Sequence, residues 1–161
     1  MRIVINSSPL ITLSCINELK LLEKLFDEIF IPEAVYTETV INGSDKKLEK
    51  EIRELKKIKV IAVKNYHLVE FIADVLDEGE AEVIALAKEM QIKTVVIDEL
   101  KGRKYARKHD LQTIGSLGIL VLGKHRKYIK DVTSNLKKME DYGIRIGERL
   151  KIEILTKADE I

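Results

Sequence analysis

Apolar residues recur along this chain in two rhythms, short unbroken runs and stripes at helical spacing. Met1 to Ile5 is a short apolar run that meets Asn6-Ser7-Ser8-Pro9. It reads as a buried strand and then a helix start, with Ser8 as N-cap and Pro9 as the first helical residue. Leu10, Leu13 and Ile16 form the stripe of that helix, and a second short helix follows around Leu19 to Phe26. Ile29 to Ile31 reads as the second strand. Pro32 opens a helix on which Ile31, Val35 and Glu38 fall on one side, and Asn42-Gly43 ends it. Ser44 to Lys57 alternates in charge, the pattern of a solvated helix. Lys59 to Val63 reads as a third strand.

Tyr66 to Leu76 is apolar at helical spacing, and Asp77 to Met90 is a stronger helix with Ala81, Ile84, Ala85 and Lys88 on one face. Lys93 to Ile97 is the β-branched run of a strand buried on both sides, and Asp98 ends it. Leu100 to His109 predicts a very basic helix, Leu111 to Ile114 a fifth strand, and Ser116 to Gly123 the opening of a further helix. Two more helical stretches fill Val132 to Ile161, around a break at Gly143 and Gly147. Strands alternating with helices predict parallel βαβ units and a sheet covered on both faces. No repeat, low-complexity tract or linker interrupts the pattern, so the expectation is one α/β domain over residues 1–161.

Composition narrows the function. The net charge is +1, so any nucleic-acid binding must come from a local basic patch rather than a global pull. The single cysteine, Cys15, and the lack of a signal peptide predict a reducing, cytoplasmic setting. Cys15 sits beside Ile16 on a helix stripe and reads as core rather than nucleophile. No apolar run approaches the roughly 18 residues of a membrane span. There is no phosphate-binding loop, no dinucleotide fingerprint and no serine-hydrolase elbow. His67, His109 and His125 show no pairing at metal-ligand spacing, which argues against zinc.

The remaining candidates are acidic. In open parallel sheets, ligands bind at the carboxyl ends of the strands. Asn6 ends the first strand and Asp98 the fourth; each also suits a turn or a helix cap. Glu38 is either a carboxylate on the inward stripe, costly unless bound to something, or an exposed residue on a rotated helix. Asp77 and Glu80 have the spacing of a capping box, and spacing alone favours the cap for Glu80. The helix after Asp98 carries Lys101, Arg103, Lys104 and Arg107, either a solvated face or a basic surface suited to a phosphodiester.

Taken in order, several segments resemble the PIN domain superfamily of metal-dependent ribonucleases, in particular a prokaryotic branch of PIN-like predicted nucleases related to VapC-type toxins. They are Val4-Ile5-Asn6-Ser7-Ser8-Pro9-Leu10-Ile11, Ile31 to Glu38, Gly79 to Ala87, and Val96-Ile97-Asp98-Glu99 with Gly102-Arg103. Ile114 to Gly118 and Tyr142-Gly143-Ile144 extend the likeness along nearly the whole chain. The resemblance implies a three-layer α/β/α fold with a central parallel sheet of about five strands, residues 131–161 being a helical extension packed on it. It implies four acidic positions around Mg²⁺ or Mn²⁺, which fall here on Asn6, Glu38, Glu80 and Asp98, with Ser8 supporting the first. It shifts Glu80 from cap to metal ligand. The expected catalytic residues are Glu38, Glu80 and Asp98, and Lys101, Arg103, Lys104 and Arg107 would grip single-stranded RNA. A small protein antitoxin and a homodimer are the implied partners. Asn6 departs from the usual Asp; it keeps an oxygen donor and drops a charge. Two other readings stay open: a catalytically weak PIN-like binding module, and a receiver-type switch domain, which the Asn-Ser-Ser after the first strand disfavours.

Overall fold

In the computed structural model, which describes all 161 residues, five strands form one parallel sheet. They are β1 (Arg2–Ile5), β2 (Glu28–Pro32), β3 (Ile58–Ile61), β4 (Thr94–Val96) and β5 (Gln112–Ile114), in the order β3-β2-β1-β4-β5. The chain runs outward one way from β1 to β2 and β3, and the other way from β1 to β4 and β5. β1 and β4 therefore flank the switch point, where a crevice opens beyond the strand ends. Ile5 is in register with Val96, and the Asn6 amide donates to the Val96 carbonyl at 3.0 Å, so the residues after β1 and β4 leave the sheet side by side.

Ten helices surround the sheet: α1 (Ser7–Cys15), α2 (Leu21–Leu25), α3 (Glu33–Tyr36), α4 (Lys46–Glu54), α5 (Tyr66–Ala73), α6 (Glu78–Glu89), α7 (Leu100–Lys108), α8 (Ser116–His125), α9 (Thr133–Asp141) and α10 (Glu148–Lys157). One group, α3, α5 and α6, packs together, with α6 against β1, β2 and β4; α1 packs on α4, α8 and α9, and α8 also meets α2 and α10. Ile3, Val4 and Ile5 are fully buried, as are Val95 and Val96, which confirms that the central strands are covered on both faces. The outer strand β3 is half-exposed and its Lys59 pairs with Glu28, a charged edge that discourages strand addition.

The two rhythms thus located every element, and the differences are local. Helix α1 begins at Ser7, with Asn6 and not Ser8 as N-cap; Pro9 sits in the first turn, where its missing N–H leaves no bond unmade. The charged helix starts at Lys46 because Asp45 caps it, accepting from the Leu48 amide at 3.1 Å. The helix after Pro32 is not continuous. Four α-helical residues give way to a π turn, Thr37–Ile41, closed by the Asn42 amide on the Thr37 carbonyl at 2.7 Å. Gly43 follows where the chain crowds it: an added Cβ would lie 2.4 Å from the Thr39 carbonyl oxygen. In the tail, the break between α9 and α10 falls at Gly143, whose φ of +86° suits glycine.

Candidate active site

Asn6 is the first wall of the crevice. Its backbone is extended (φ −86°, ψ 171°), and its side chain makes no capping bond to α1. The residue is 5% exposed, so a buried amide stands at the strand end with its oxygen turned elsewhere. That oxygen faces Gly79, at the start of α6. A point one Cβ away from Gly79 lies 3.3 Å from Asn6 Oδ1, 3.6 Å from Asp77 Oδ1 and 3.7 Å from Glu38 Oε2. Three oxygens from three separate elements converge there, and glycine leaves the space open.

Two of the three are held by hydrogen bonds. Asp77 caps α6, its Oδ1 accepting from the Glu80 amide at 2.8 Å. Glu38 is exposed as a whole, not buried on an inward stripe, because the π turn winds more slowly than an α-helix and rotates it outward. Its carboxylate still reaches the crevice, where Ser7 Oγ donates to Oε2 at 2.7 Å. Ser7, not Ser8, is therefore the hydroxyl that positions an acidic residue; Ser8 lines a neighbouring cavity beside Asp98. The sequence carried no signal for Ser7 beyond its place next to Asn6.

Glu80 follows Gly79 in α6, and its carboxylate lies against Gly102 of α7. It is 4% exposed, and its Oε1 is buried with no hydrogen-bond partner. A Cβ at Gly102 in α7 would come within 3.0 Å of that oxygen and 3.1 Å of Ile97 Cγ2, so the absent side chain is what admits the carboxylate. Burial above all, then the charges of Asp77 and Glu99, push the Glu80 carboxyl above the usual carboxylate range. A capping residue would not be left in this state. The Asp77 half of the capping box is present, yet Glu80 itself caps nothing.

Asp98 follows β4 and stands beside Gly115 and Arg103. It does not cap the helix that follows; Glu99 holds that position, without a side-chain bond. Instead Asp98 reaches across to α8, where its Oδ1 accepts from the Ser116 amide and its Oδ2 from Ser116 Oγ, both at 2.7 Å. The head of a helix favours a negative charge. Ser116, 18 residues away, was invisible to spacing.

The four cations of α7 do not act alike. Arg103 is half-buried, with Nε unpartnered, and its Nη1 and Asp98 Oδ1 flank Gly115 at 3.1 and 3.0 Å from the position of a Cβ. Burial and the charge of Arg107 lower its pKa, opposed by Asp98 and Glu153. Arg107 is tied to β5 through Thr113 Oγ1 at 2.9 Å. Lys101 and Lys104 are exposed, and the charge of Lys101 partly offsets the raised Glu80. Elsewhere Cys15 is half-buried on α1.

No three Asp, Glu, His or Cys side chains are grouped tightly enough to enclose a metal by themselves. The donor set nevertheless suits a divalent ion that keeps most of its water, as Mg²⁺ does with one or two carboxylates. The orphaned Glu80 oxygen and the open space at Gly79 are the features such an ion would satisfy.

The fold is an open α/β fold with a parallel sheet ordered 3-2-1-4-5, and Asn6 and Asp98 follow its first and fourth strands. The chain belongs to the DUF3368 family, a PIN domain, whose model matches residues 2–160. No curated protein matches the chain. PIN domains generally use divalent metal ions, and no helix here is long and apolar enough to cross a membrane.

Proposed function

We propose that this PIN domain is a ribonuclease that hydrolyses phosphodiesters of single-stranded RNA with Mg²⁺ or Mn²⁺. The observation that carries the reading is Glu80: a buried carboxylate with an unpartnered oxygen costs free energy at rest, and a cation would offset that cost. Glu80 and Asp98, with the Asn6 oxygen, are the residues that would hold the ion, directly or through water. A bound divalent ion supplies an acidified water and neutralises charge that develops on phosphorus. Glu38, steadied by Ser7, orients the attacking water, whose oxygen forms the new bond to phosphorus as the bond to the leaving oxygen breaks. Arg103 holds a phosphate beside Asp98, and Lys101, Lys104 and Arg107 extend the contact along the strand.

Labelled single-stranded RNA incubated with Mn²⁺ or Mg²⁺ is the test. Wild type cuts it, and Asp98→Ala and Glu80→Ala do not; full activity in both variants would discard the assignment. A second reading, a catalytically weak RNA- or protein-binding module, is favoured by Asn6 alone, since the buried amide supplies one charge fewer than Asp. No metal binding at millimolar Mn²⁺, with RNA binding retained, decides for that second reading. Asn6→Asp tightens divalent binding about tenfold in calorimetry if Asn6 is a ligand, and leaves it unchanged if not. The biological setting that accords with the family is a cytoplasmic VapC-type toxin, homodimeric and neutralised by a small protein antitoxin. Growth arrest on expression, relieved by Asp98→Ala, is the expected sign.

A further inference from the structure

Beyond Asp98 lies a cavity of about 650 Å³, between α8, residues 144–146 and α10. Asp98 and Ser116 line it together with Arg103, whereas Asn6, Glu38 and Glu80 do not, so of the acidic candidates it adjoins Asp98. Much of its wall is apolar, including Val121, Met139, Ile146 and Ile154. Hydroxyls of Ser8, Thr12 and Thr113 also line it.

The charges around it leave two cations without partners. Lys157 and Glu153 pair with each other at 2.7 Å, and Asp98 is engaged by Ser116. Arg103 forms no ion pair and keeps a buried, unpartnered Nε. Arg145 is exposed and takes part in no hydrogen bond or ion pair. The cavity thus offers an apolar wall, a few hydroxyls and two free guanidiniums, at a volume ordinary for a small-molecule site.

We infer that this cavity seats one unpaired nucleotide of an RNA strand, next to the phosphate held at Asp98. The base lies against the apolar wall with its polar edge on the hydroxyls, and Arg103 and Arg145 take the flanking phosphates. A stacked base cannot enter, so the site selects unpaired strands. The inference rests on the nuclease reading for the strand's passage past Asp98, while the binding itself needs no cleavage.

Anisotropy of an end-labelled single-stranded RNA oligonucleotide, in chelator, measures binding without cutting. The intact chain is compared with Val121→Trp, which fills the cavity, and Arg145→Ala, which removes an exposed, unpartnered side chain. Each weakens binding about tenfold or more, and an abasic oligonucleotide binds wild type no better than the normal one binds Val121→Trp. If Val121→Trp fails to fold by circular dichroism, Arg145→Ala decides alone. Wild-type affinity in a folded Val121→Trp and in Arg145→Ala overturns the proposal, as does equal binding of the abasic strand. Tight binding of a free nucleoside monophosphate with none of the oligonucleotide also overturns it, in favour of a soluble-nucleotide site. Cleavage that fails while this binding pattern holds counts against the nuclease reading alone; intact cleavage with binding indifferent to both variants counts against the cavity alone.

Discussion

Asp98 accepts two short hydrogen bonds from Ser116 at the head of α8, whereas Glu80, across Ile97, keeps a buried oxygen with no partner. The two carboxylates sit under opposite conditions, Asp98 beside α8 and Arg103, Glu80 beneath Gly102 of α7. The bonds to Asp98 make it part of the scaffold, fixed in place before any ligand arrives. The carboxylate of Glu80 is fixed by packing and left wanting a counter-charge. In the nuclease proposed above, Asp98 would supply position and Glu80 affinity.

The largest expected effect is on Asp98. Asp98→Ala strips Ser116 of the acceptor for both its N–H and its hydroxyl, and lowers unfolding stability by about 1–3 kcal/mol in urea titration, besides abolishing cleavage. Asp98→Asn restores most of the stability, since an amide oxygen still accepts from α8, and restores no cleavage. Recovery of both would erase the contrast between the two residues.

Ser7→Ala comes next. It frees Glu38 and lowers divalent affinity about tenfold by calorimetry, the usual effect of removing a hydrogen bond that orients a ligand.

Glu80→Gln reads the other half of the comparison. Without metal, the wild-type carboxyl has a raised pKa in the folded state. Its contribution to stability is full below the unfolded pKa and is lost as pH rises through the folded value, above the ordinary carboxylate range. Thermal melts in chelator show that decline in wild type and a flatter profile in Glu80→Gln, which is the more stable of the two at neutral pH. Millimolar Mg²⁺ reverses the order by stabilising wild type alone. Identical pH profiles would show that Glu80 is no more strained than Asp98.

The smallest effect is that of Gly79→Ala. A methyl 3.3 Å from Asn6 Oδ1 and 3.7 Å from Glu38 Oε2 intrudes on the point where the oxygens meet. Divalent binding weakens severalfold while the helix gains at most about 1 kcal/mol. Unchanged binding would place the ion away from Gly79, nearer Glu80 alone.

These contrasts were only partly legible in the sequence. Apolar runs located all five strands, most plainly the central ones, which the sheet buries on both faces. They also put Asn6 at the end of the first strand and Asp98 at the end of the fourth, but only the sheet order makes those strands neighbours. What the pattern could not carry was anything that crosses between elements. Ser116 meets Asp98 only because β5 and α8 fold back beside β4. Glu38 escaped a period of 3.6 because the π turn departs from it, so the stripe through Ile31 and Val35 does not extend to it. Ser7 and Ser8 are adjacent hydroxyls, and a one-residue shift in the helix start decided which of them faces Glu38. Glu80 read as a cap because its spacing from Asp77 is that of a cap, and only burial distinguishes the two roles.

Gly102 has one further consequence. With no side chain there, α7 rests directly on the Glu80 carboxylate, so the interval between the acidic crevice and Arg103 is set by hard contact rather than by attraction between charges. The helix works as a ruler. For the nuclease proposed above, raising ionic strength loosens the hold on a polyanionic strand without altering where along that strand it is cut. The pattern of product lengths is the same at every salt concentration, and only the yield declines.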